Sequence, residues 1–153
     1  MFALVLACSI VALPHTLDPQ ERKVDTTAPR AAVVELAKIT RGRGPVDGAA
    51  TSCDDLGTLS IKLTAPATDD RTVPTEMGYI LEHAGGSLPD GITLPTQAMR
   101  TMNDQVWFYW IDGATDEQEP LDFAVAVIAV DRAGNRSAAS EPVWVRHPGK
   151  SAR

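Results

Sequence analysis

Short apolar runs separated by turn residues make up most of the chain after residue 30. The clearest run extends from Phe123 to Val130, and its content of Val and Ile favours a strand over a helix. Gly134-Asn135 follow it and tolerate a positive φ, after which a second apolar run begins at Val143. This pattern predicts a hairpin near the end of an all-β fold.

Seven segments of the chain carry a strand pattern, six of them clear and one weak. The clear ones are Ala32 to Ile39, Leu59 to Thr64, Gly78 to His83, Val106 to Ile111, Phe123 to Val130 and Pro142 to Arg146, and the weak one lies near Gln97 to Thr101. No long amphipathic helix and no repeat of about 20 to 50 residues accompanies them. Short strands divided by turns are typical of an antiparallel β-sandwich, here of about seven strands.

A chain of 153 residues has room for one domain. Hydrophobic residues at 44% and charged residues at 22% are ordinary globular values and argue against disorder of the whole chain.

Residues 14–30 are polar, rich in proline and without periodicity, so we expect a linker there. The sandwich is then predicted over residues 31–147, with a tail at 148–153. Within it, the long connection at 42–57 is of a kind that is usually mobile or functional.

The first 13 residues form an uninterrupted apolar run that ends before Pro14. Its length suits a signal-peptide core and is too short for a membrane-spanning helix, so we expect export to the periplasm, the cell envelope or the medium. No basic residue precedes the run and no small-x-small cleavage motif follows it. A start codon placed downstream of the true one would explain the missing basic residues.

Val5-Leu6-Ala7-Cys8 resembles the box of bacterial lipoproteins, in which the cysteine receives lipid and becomes the mature N-terminus. In the alternative interpretation, Cys8 is only a small apolar residue of a signal that is removed. Either outcome leaves Cys53 without a partner in the chain. Because Asp54 and Asp55 beside it disfavour the thiolate, we predict no catalytic role for Cys53.

Charge and motifs exclude several classes of function. The formal net charge is −6 and the 14 basic residues are scattered, which argues against binding to nucleic acid. The three histidines are isolated, and no zinc motif, serine elbow or phosphate-binding glycine loop accompanies them. We therefore predict that the protein is not an enzyme, with no catalytic residue, no metal-ligating residue and no cofactor.

Four segments resemble a fibronectin type III or related bacterial immunoglobulin-like domain. They are Asp25-Thr26-Thr27-Ala28-Pro29 before the first strand, Leu59 to Asp70 with its Pro-Asp-Asp turn, Gly78 to Glu82 with its tyrosine, and the stretch 123–137 with its A-V-D-x-A-G-N-x-S ending. The resemblance covers about residues 25 to 146, and only the last motif is fairly specific. It implies an immunoglobulin-like, fibronectin type III-like antiparallel sandwich.

Two positions depart from that family pattern. Leu63 stands where the family usually has a core tryptophan, and Phe123 stands where it usually has a tyrosine. Phe123 has no hydroxyl for the backbone bond of a tyrosine corner. We therefore expect a divergent member whose core is filled differently, with Trp107, Phe108 and Trp110 as the candidates. The resemblance implies spacing, adhesion or docking, so we expect a non-catalytic interaction or structural module of the bacterial cell envelope.

The run from Val106 to Ile111 is the strongest candidate for a binding feature. Side chains alternate along a strand, so Trp107 and Tyr109 share the face opposite to Phe108 and Trp110. If that face is uncovered, it offers a flat amphipathic platform for a sugar ring or a protein partner. In the alternative, the strand is buried on both sides. Trp144 lies on the final strand, in the other sheet of the family topology, and would not extend the platform.

The loop that follows this run is acidic, with five carboxylates at Asp112, Asp116, Glu117, Glu119 and Asp122. Hard cations such as Ca²⁺ take oxygen ligands from such clusters, but the spacing does not match an EF-hand loop. A solvated acidic turn is the commoner outcome, and we assign no metal here. Asp54-Asp55 and Asp69-Asp70 are interpreted as ordinary turn residues.

Overall fold

The structure is a computed structural model that describes residues 13–42, 55–112 and 118–150. The described residues contain six strands and two single-turn helices. The strands are β1 (Val33–Thr40), β2 (Leu56–Ala65), β3 (Gly78–Ser87), β4 (Gln105–Ile111), β5 (Leu121–Val130) and β6 (Val143–His147), and the helices are α1 (Glu21–Val24) and a 3₁₀ turn at Pro74–Glu76. All six clear strand predictions are confirmed, within a few residues at each end.

The six strands form two antiparallel sheets of three strands each. Their orders are β1-β2-β4 in the first sheet and β3-β5-β6 in the second. Every neighbouring pair is antiparallel. The chain crosses from one sheet to the other after β2, after β3 and after β4. The prediction of an antiparallel all-β fold is therefore confirmed. The predicted count of about seven strands is wrong for the described residues, which contain six.

The weak segment near Gln97 to Thr101 accounts for the difference in the count. Met99 forms isolated bridges with Tyr79 on β3 and with Pro14, and no continuous ladder forms around it. Immediately afterwards, Asn103 and Asp104 adopt positive φ values of 53° and 57° and turn the chain into β4. The segment therefore ends after a single bridging residue.

One face of each sheet contributes to a single hydrophobic core. The alternation of the strands buries Leu59, Ile61 and Leu63 from β2, Val106, Phe108 and Trp110 from β4, and Phe123, Val125 and Val127 from β5. The rings of Phe108 and Trp110 stack with their centroids 5.7 Å apart. Two of the three aromatic residues expected to fill the core thus do so. The third, Trp107, lies on the outer face of β4.

Buried side-chain oxygens order the closing hairpin. Asp131 Oδ1 accepts hydrogen bonds from Gly134 N at 2.7 Å and Asn135 N at 2.8 Å, and Gly134 adopts the expected positive φ, +94°. Ser137 Oγ and Ser140 Oγ then accept from the amides of Ala129 and Val127, each at 2.9 Å. These bonds hold the connection between β5 and β6 alongside the last residues of β5.

Residues 13–30, predicted as a linker from residue 14, are held against the sheets. The amide of His15 donates to Ala98 O at 3.0 Å, and the amide of Asp18 donates to Arg132 O at 2.7 Å. Asp18 also forms an ion pair with Arg132 at 2.7 Å. The polar, proline-rich composition of this segment does not reveal these contacts, because the partners are distant in sequence. No helix in the described part of the chain is long and apolar enough to cross a membrane.

Candidate functional site

Trp107 and Tyr109 lie together on the outer face of β4. Both side chains are half-buried, while Val106, Phe108 and Trp110 on the opposite face are buried in the core. The two rings are nearly parallel, with an interplanar angle of 12° and centroids 6.1 Å apart. The strand is therefore covered on its inner side and only partly covered on its outer side, between the two alternatives drawn from the sequence.

The outer face beneath this pair holds two polar atoms that have no hydrogen-bond partner among the described residues. Ser60 on β2 is the direct cross-strand neighbour of Trp107 and is fully buried, although it points away from the core. Ser60 Oγ and Trp107 Nε1 are both buried and unbonded. Leaving a buried polar group without a hydrogen bond costs free energy. This part of the face therefore carries two groups that a bond would stabilise, the Ser60 hydroxyl and the Trp107 indole N–H.

Tyr109 offers a hydroxyl beside the indole of Trp107. Burial raises the pKa of Tyr109 above its ordinary value, so the hydroxyl is protonated at neutral pH. A protonated phenol can both donate and accept a hydrogen bond. Its cross-strand neighbour is Thr58, whose hydroxyl adds a further polar group at this end of the face.

β4 is an edge strand, which places the aromatic pair at the margin of its sheet. It pairs with β2 on one side, and no described strand pairs with its other side. Ile111 at the end of the same outer row is 82% exposed, and Leu56 on β2 lies opposite to it. The outer row of β4, from Trp107 through Tyr109 to Ile111, is thus an accessible amphipathic strip. We call it the β4 strip.

Trp144 is 44% exposed, and it lies on β6 in the second sheet. The guanidinium of Arg146 lies over its ring at 4.8 Å, in a cation–π contact. As the alternation predicted, Trp144 faces away from Val143 and Val145 and does not extend the β4 strip.

The carboxylate of Asp112, the first residue of the acidic loop, forms an ion pair with Arg41. Arg41 Nε and Nη2 donate to Asp112 Oδ2 and Oδ1 at 2.8 and 2.9 Å, and both side chains are 5% exposed. The amide of Gly42 and the indole of Trp110 also donate to this carboxylate, at 2.7 and 3.1 Å. Burial raises the pKa of Asp112, but the bonds from Arg41, Gly42 and Trp110 outweigh that effect and lower it overall. Asp112 is therefore a structural anion.

The other described acids of this loop, Glu119 and Asp122, make contacts of their own. Asp122 forms an exposed ion pair with Arg146, and the backbone carbonyl of Glu119 accepts from Arg41 Nη1 at 2.7 Å. Asp116 and Glu117 lie outside the described residues. The sequence did not identify Arg41 as the partner of Asp112. An arginine directly after a strand and an acid directly after an edge strand of the same sheet were the available signals.

The three histidines each contact backbone groups. His15 Nε2 lies 2.8 Å from Asp131 O, His83 Nε2 lies 2.9 Å from Gly85 O, and His147 Nδ1 accepts from Gly149 N at 3.0 Å. In the described residues, none of these rings bonds to a serine hydroxyl or a carboxylate. The arrangement provides no nucleophile and base in hydrogen-bond contact there.

Cys8, the candidate for lipidation, and Cys53 both lie outside the described residues. So does most of the first apolar run, from residue 1 to residue 12. The β4 strip is therefore the candidate site that the described residues and the sequence both indicate.

No family model matches this chain, and no curated protein matches it.

Proposed function

We propose that this protein is a non-catalytic, immunoglobulin-like interaction or structural module of the bacterial cell envelope, and that it contacts its partner through the β4 strip. The observation that carries the proposal is the half-exposed Trp107–Tyr109 pair on an edge strand. Tryptophan and tyrosine bind well at interfaces because they bring large rigid surfaces and a polar group together.

The strand orders support an immunoglobulin-like topology. In constant-type immunoglobulin domains the two sheets contain strands A-B-E-D and C-F-G. The orders β1-β2-β4 and β3-β5-β6 correspond to A-B-E and C-F-G, with no described strand at position D. The bridge of Met99 to Tyr79 adds a contact at the outer edge of the second sheet. These orders agree with the fibronectin type III resemblance of the closing A-V-D-x-A-G-N-x-S segment.

Export is proposed from the sequence alone. The first 13 residues supply a signal-like apolar segment, and Cys8 supplies a candidate attachment point for lipid that would hold the module at a membrane. Mass spectrometry of the mature N-terminus tests both ideas. A lipidated peptide beginning at Cys8 supports the anchor, a lipid-free peptide beginning after residue 13 rejects it, and an intact N-terminus in the cytoplasm rejects export.

Site-specific photocrosslinking in living bacteria tests contact through the β4 strip. A benzophenone amino acid replaces Tyr109 in one full-length variant and Trp144, on the opposite sheet, in a matched control. We expect a discrete crosslinked product from position 109 and none from position 144. A product from position 144 alone, or none from either position, would count against the proposed surface.

Carbohydrate recognition is the second candidate function, and the parallel ring pair favours it. Half-exposed aromatic rings stack well on the apolar faces of sugars, the two rings here are nearly parallel, and the Tyr109 hydroxyl can bond to sugar hydroxyls. Oligosaccharide arrays should then show binding by the wild type and by Trp144→Ala, but not by Trp107→Ala. If the wild type binds no glycan on the array, this second function is rejected while protein docking remains open to the crosslinking test.

A further inference from the structure

Three aspartates from distant parts of the chain converge at the end of the sheets where the N-terminal segment enters. Asp25 precedes β1, Asp69 lies between β2 and β3, and Asp131 directly follows β5. One carboxylate oxygen from each lies within 4.8 Å of the other two. Asp25 is 3% exposed and Asp131 is fully buried.

These three carboxylates have no cationic partner among the described residues. None of them takes part in an ion pair there, and the nearby Arg71 instead bonds to Glu21 at 2.8 Å. Placing negative charges together in a buried site is costly unless a cation or a set of donors compensates them. Within the described part of the chain, the negative charge of the site is therefore not compensated by a cationic side chain.

Two oxygens of the cluster receive no hydrogen bond from the described residues. They are Asp25 Oδ2 and Asp69 Oδ1, and both are buried. The other oxygens of these residues are used locally, since Asp25 Oδ1 accepts from Thr27 N and Asp69 Oδ2 accepts from Thr72 N at 2.8 Å. The local turns thus fix the carboxylates of Asp25 and Asp69 and leave one oxygen of each without a hydrogen bond from the described residues.

Backbone amides and an asparagine orient the third carboxylate. Asp131 accepts from Gly134 N and Asn135 N through one oxygen and from Asn135 Nδ2 through the other, at 2.7 to 2.8 Å. Asn135 Nδ2 also donates to Asp25 O at 3.2 Å, which ties the entering segment to the closing turn. The cluster is therefore preorganised by bonds from two different connections.

We propose that Asp25, Asp69 and Asp131 bind a divalent cation, with Ca²⁺ the preferred ion. Ca²⁺ takes oxygen ligands at about 2.3 to 2.6 Å, so two ligands on opposite sides of it lie at most about 5 Å apart, which accommodates this cluster. Mg²⁺ dehydrates reluctantly and is usually bound through only one or two carboxylates, so a site of three protein carboxylates favours Ca²⁺. Backbone carbonyls and solvent complete the shell.

The bound cation fastens the N-terminal segment to the domain. Asp25 lies within residues 13–30, whereas Asp69 and Asp131 belong to connections of the two sheets. Binding therefore couples the position of the entering chain to Ca²⁺ concentration. This differs from the acidic loop at Asp112 to Asp122, which the sequence offered as a calcium candidate and where Arg41 already compensates Asp112. It also gives Asp69, interpreted as an ordinary turn residue, a second role.

Calorimetry and thermal unfolding of the EDTA-treated full chain test the site. We expect saturable binding of one Ca²⁺ per chain, and a rise in Tm of about 5 to 10 °C at a hundredfold excess over Kd, with a smaller rise in Mg²⁺. Asp69→Asn should abolish both effects, because it removes a negative charge and replaces the unused oxygen by an amide nitrogen that cannot bind a cation. The asparagine carbonyl can still accept from Thr72 N, so the turn is retained. The control Asp122→Asn, at an exposed ion pair, should respond like the wild type.

Limited trypsin digestion tests the fastening. Arg22, Lys23 and Arg30 lie in the entering segment, and Ca²⁺ should slow cleavage there in the wild type but not in Asp69→Asn. A wild type without heat of binding and without a change in Tm at 10 mM Ca²⁺ overturns the site, whatever the variants do. A stabilised protein with unprotected cleavage sites overturns the fastening.

Discussion

Arg41 and Asp112 lie directly after β1 and β4, the two outer strands of one sheet, and join across the start of β2 through paired bonds of 2.8 and 2.9 Å. Arg41 Nη1 also reaches Glu119 O, just before β5 of the second sheet. The pair therefore links both sheets at the end opposite to the entry of the N-terminal segment. Alternation along strands cannot reveal such a link, because both residues lie outside the strands.

Removing one partner of this pair should be strongly destabilising. Arg41→Ala leaves the Asp112 carboxylate buried without its cation, which costs about 3 to 5 kcal/mol in comparable pairs. Urea unfolding of the wild type and the variant measures the loss in free energy. Arg146→Ala, in the exposed pair with Asp122, is the control and should change it by about 1 kcal/mol or less. Equal losses in the two variants would contradict a structural role specific to Arg41.

The same carboxylate should make stability depend on pH. The pKa of Asp112 is lowered in the folded protein from an ordinary value of 3.8, so the unfolded state binds this proton more tightly. The contribution of Asp112 is therefore complete above pH 3.8 and disappears as the pH falls through the folded value. The difference in unfolding free energy between wild type and Asp112→Asn should shrink as the pH is lowered from 5 to 3. A difference constant over this range would rule out the ionised carboxylate as its source.

Gly57 allows the ring of Trp110 to pack on β2. A Cβ at position 57 would overlap ring atoms of Trp110, its direct cross-strand neighbour. Gly57→Ala should therefore destabilise the protein by about 1 to 3 kcal/mol, the cost typical of overpacking. Gly85→Ala provides the control, because its Cβ would meet ordinary contacts at 3.7 and 3.8 Å. If both variants unfold at the same denaturant concentration, the ring moves aside without cost.

The two faces of β4 should respond differently to truncation. Trp110→Ala removes a core ring and should cost about 3 to 5 kcal/mol, whereas Trp107→Ala removes a half-buried ring on the outer face and should cost clearly less. Urea unfolding of the two variants gives the comparison. Should Trp107→Ala prove as destabilising as Trp110→Ala, the outer ring acts as a packing element, and the proposal for the β4 strip loses its basis.

The pattern of short apolar runs between turn residues was sufficient to predict the strands but not the polar clusters. These runs located all six strands, with Phe123 to Val130 recognised by its Val and Ile content, and alternation distinguished the two faces of β4. Asp25, Asp69 and Asp131 meet only after the connections have folded, and of these only Asp69 was interpreted, as an ordinary turn residue. The composition of residues 14–30 likewise does not reveal the contacts of this segment, since its partners Ala98 and Arg132 are distant in sequence.

The docking of the N-terminal segment depends on the absence of a side chain at Gly78. The His15 ring occupies the space that a Cβ at position 78 would need, and His15 Nε2 contacts Asp131 O at 2.8 Å. Gly78→Ala should therefore displace His15 and speed trypsin cleavage after Arg22, as followed by mass spectrometry of the digest. His15→Ala by itself should also speed the cleavage, since it removes the contact. Adding Gly78→Ala to His15→Ala should then have little further effect, because the clash is gone. Additive effects of the two substitutions would show that Gly78 acts on the segment by another route.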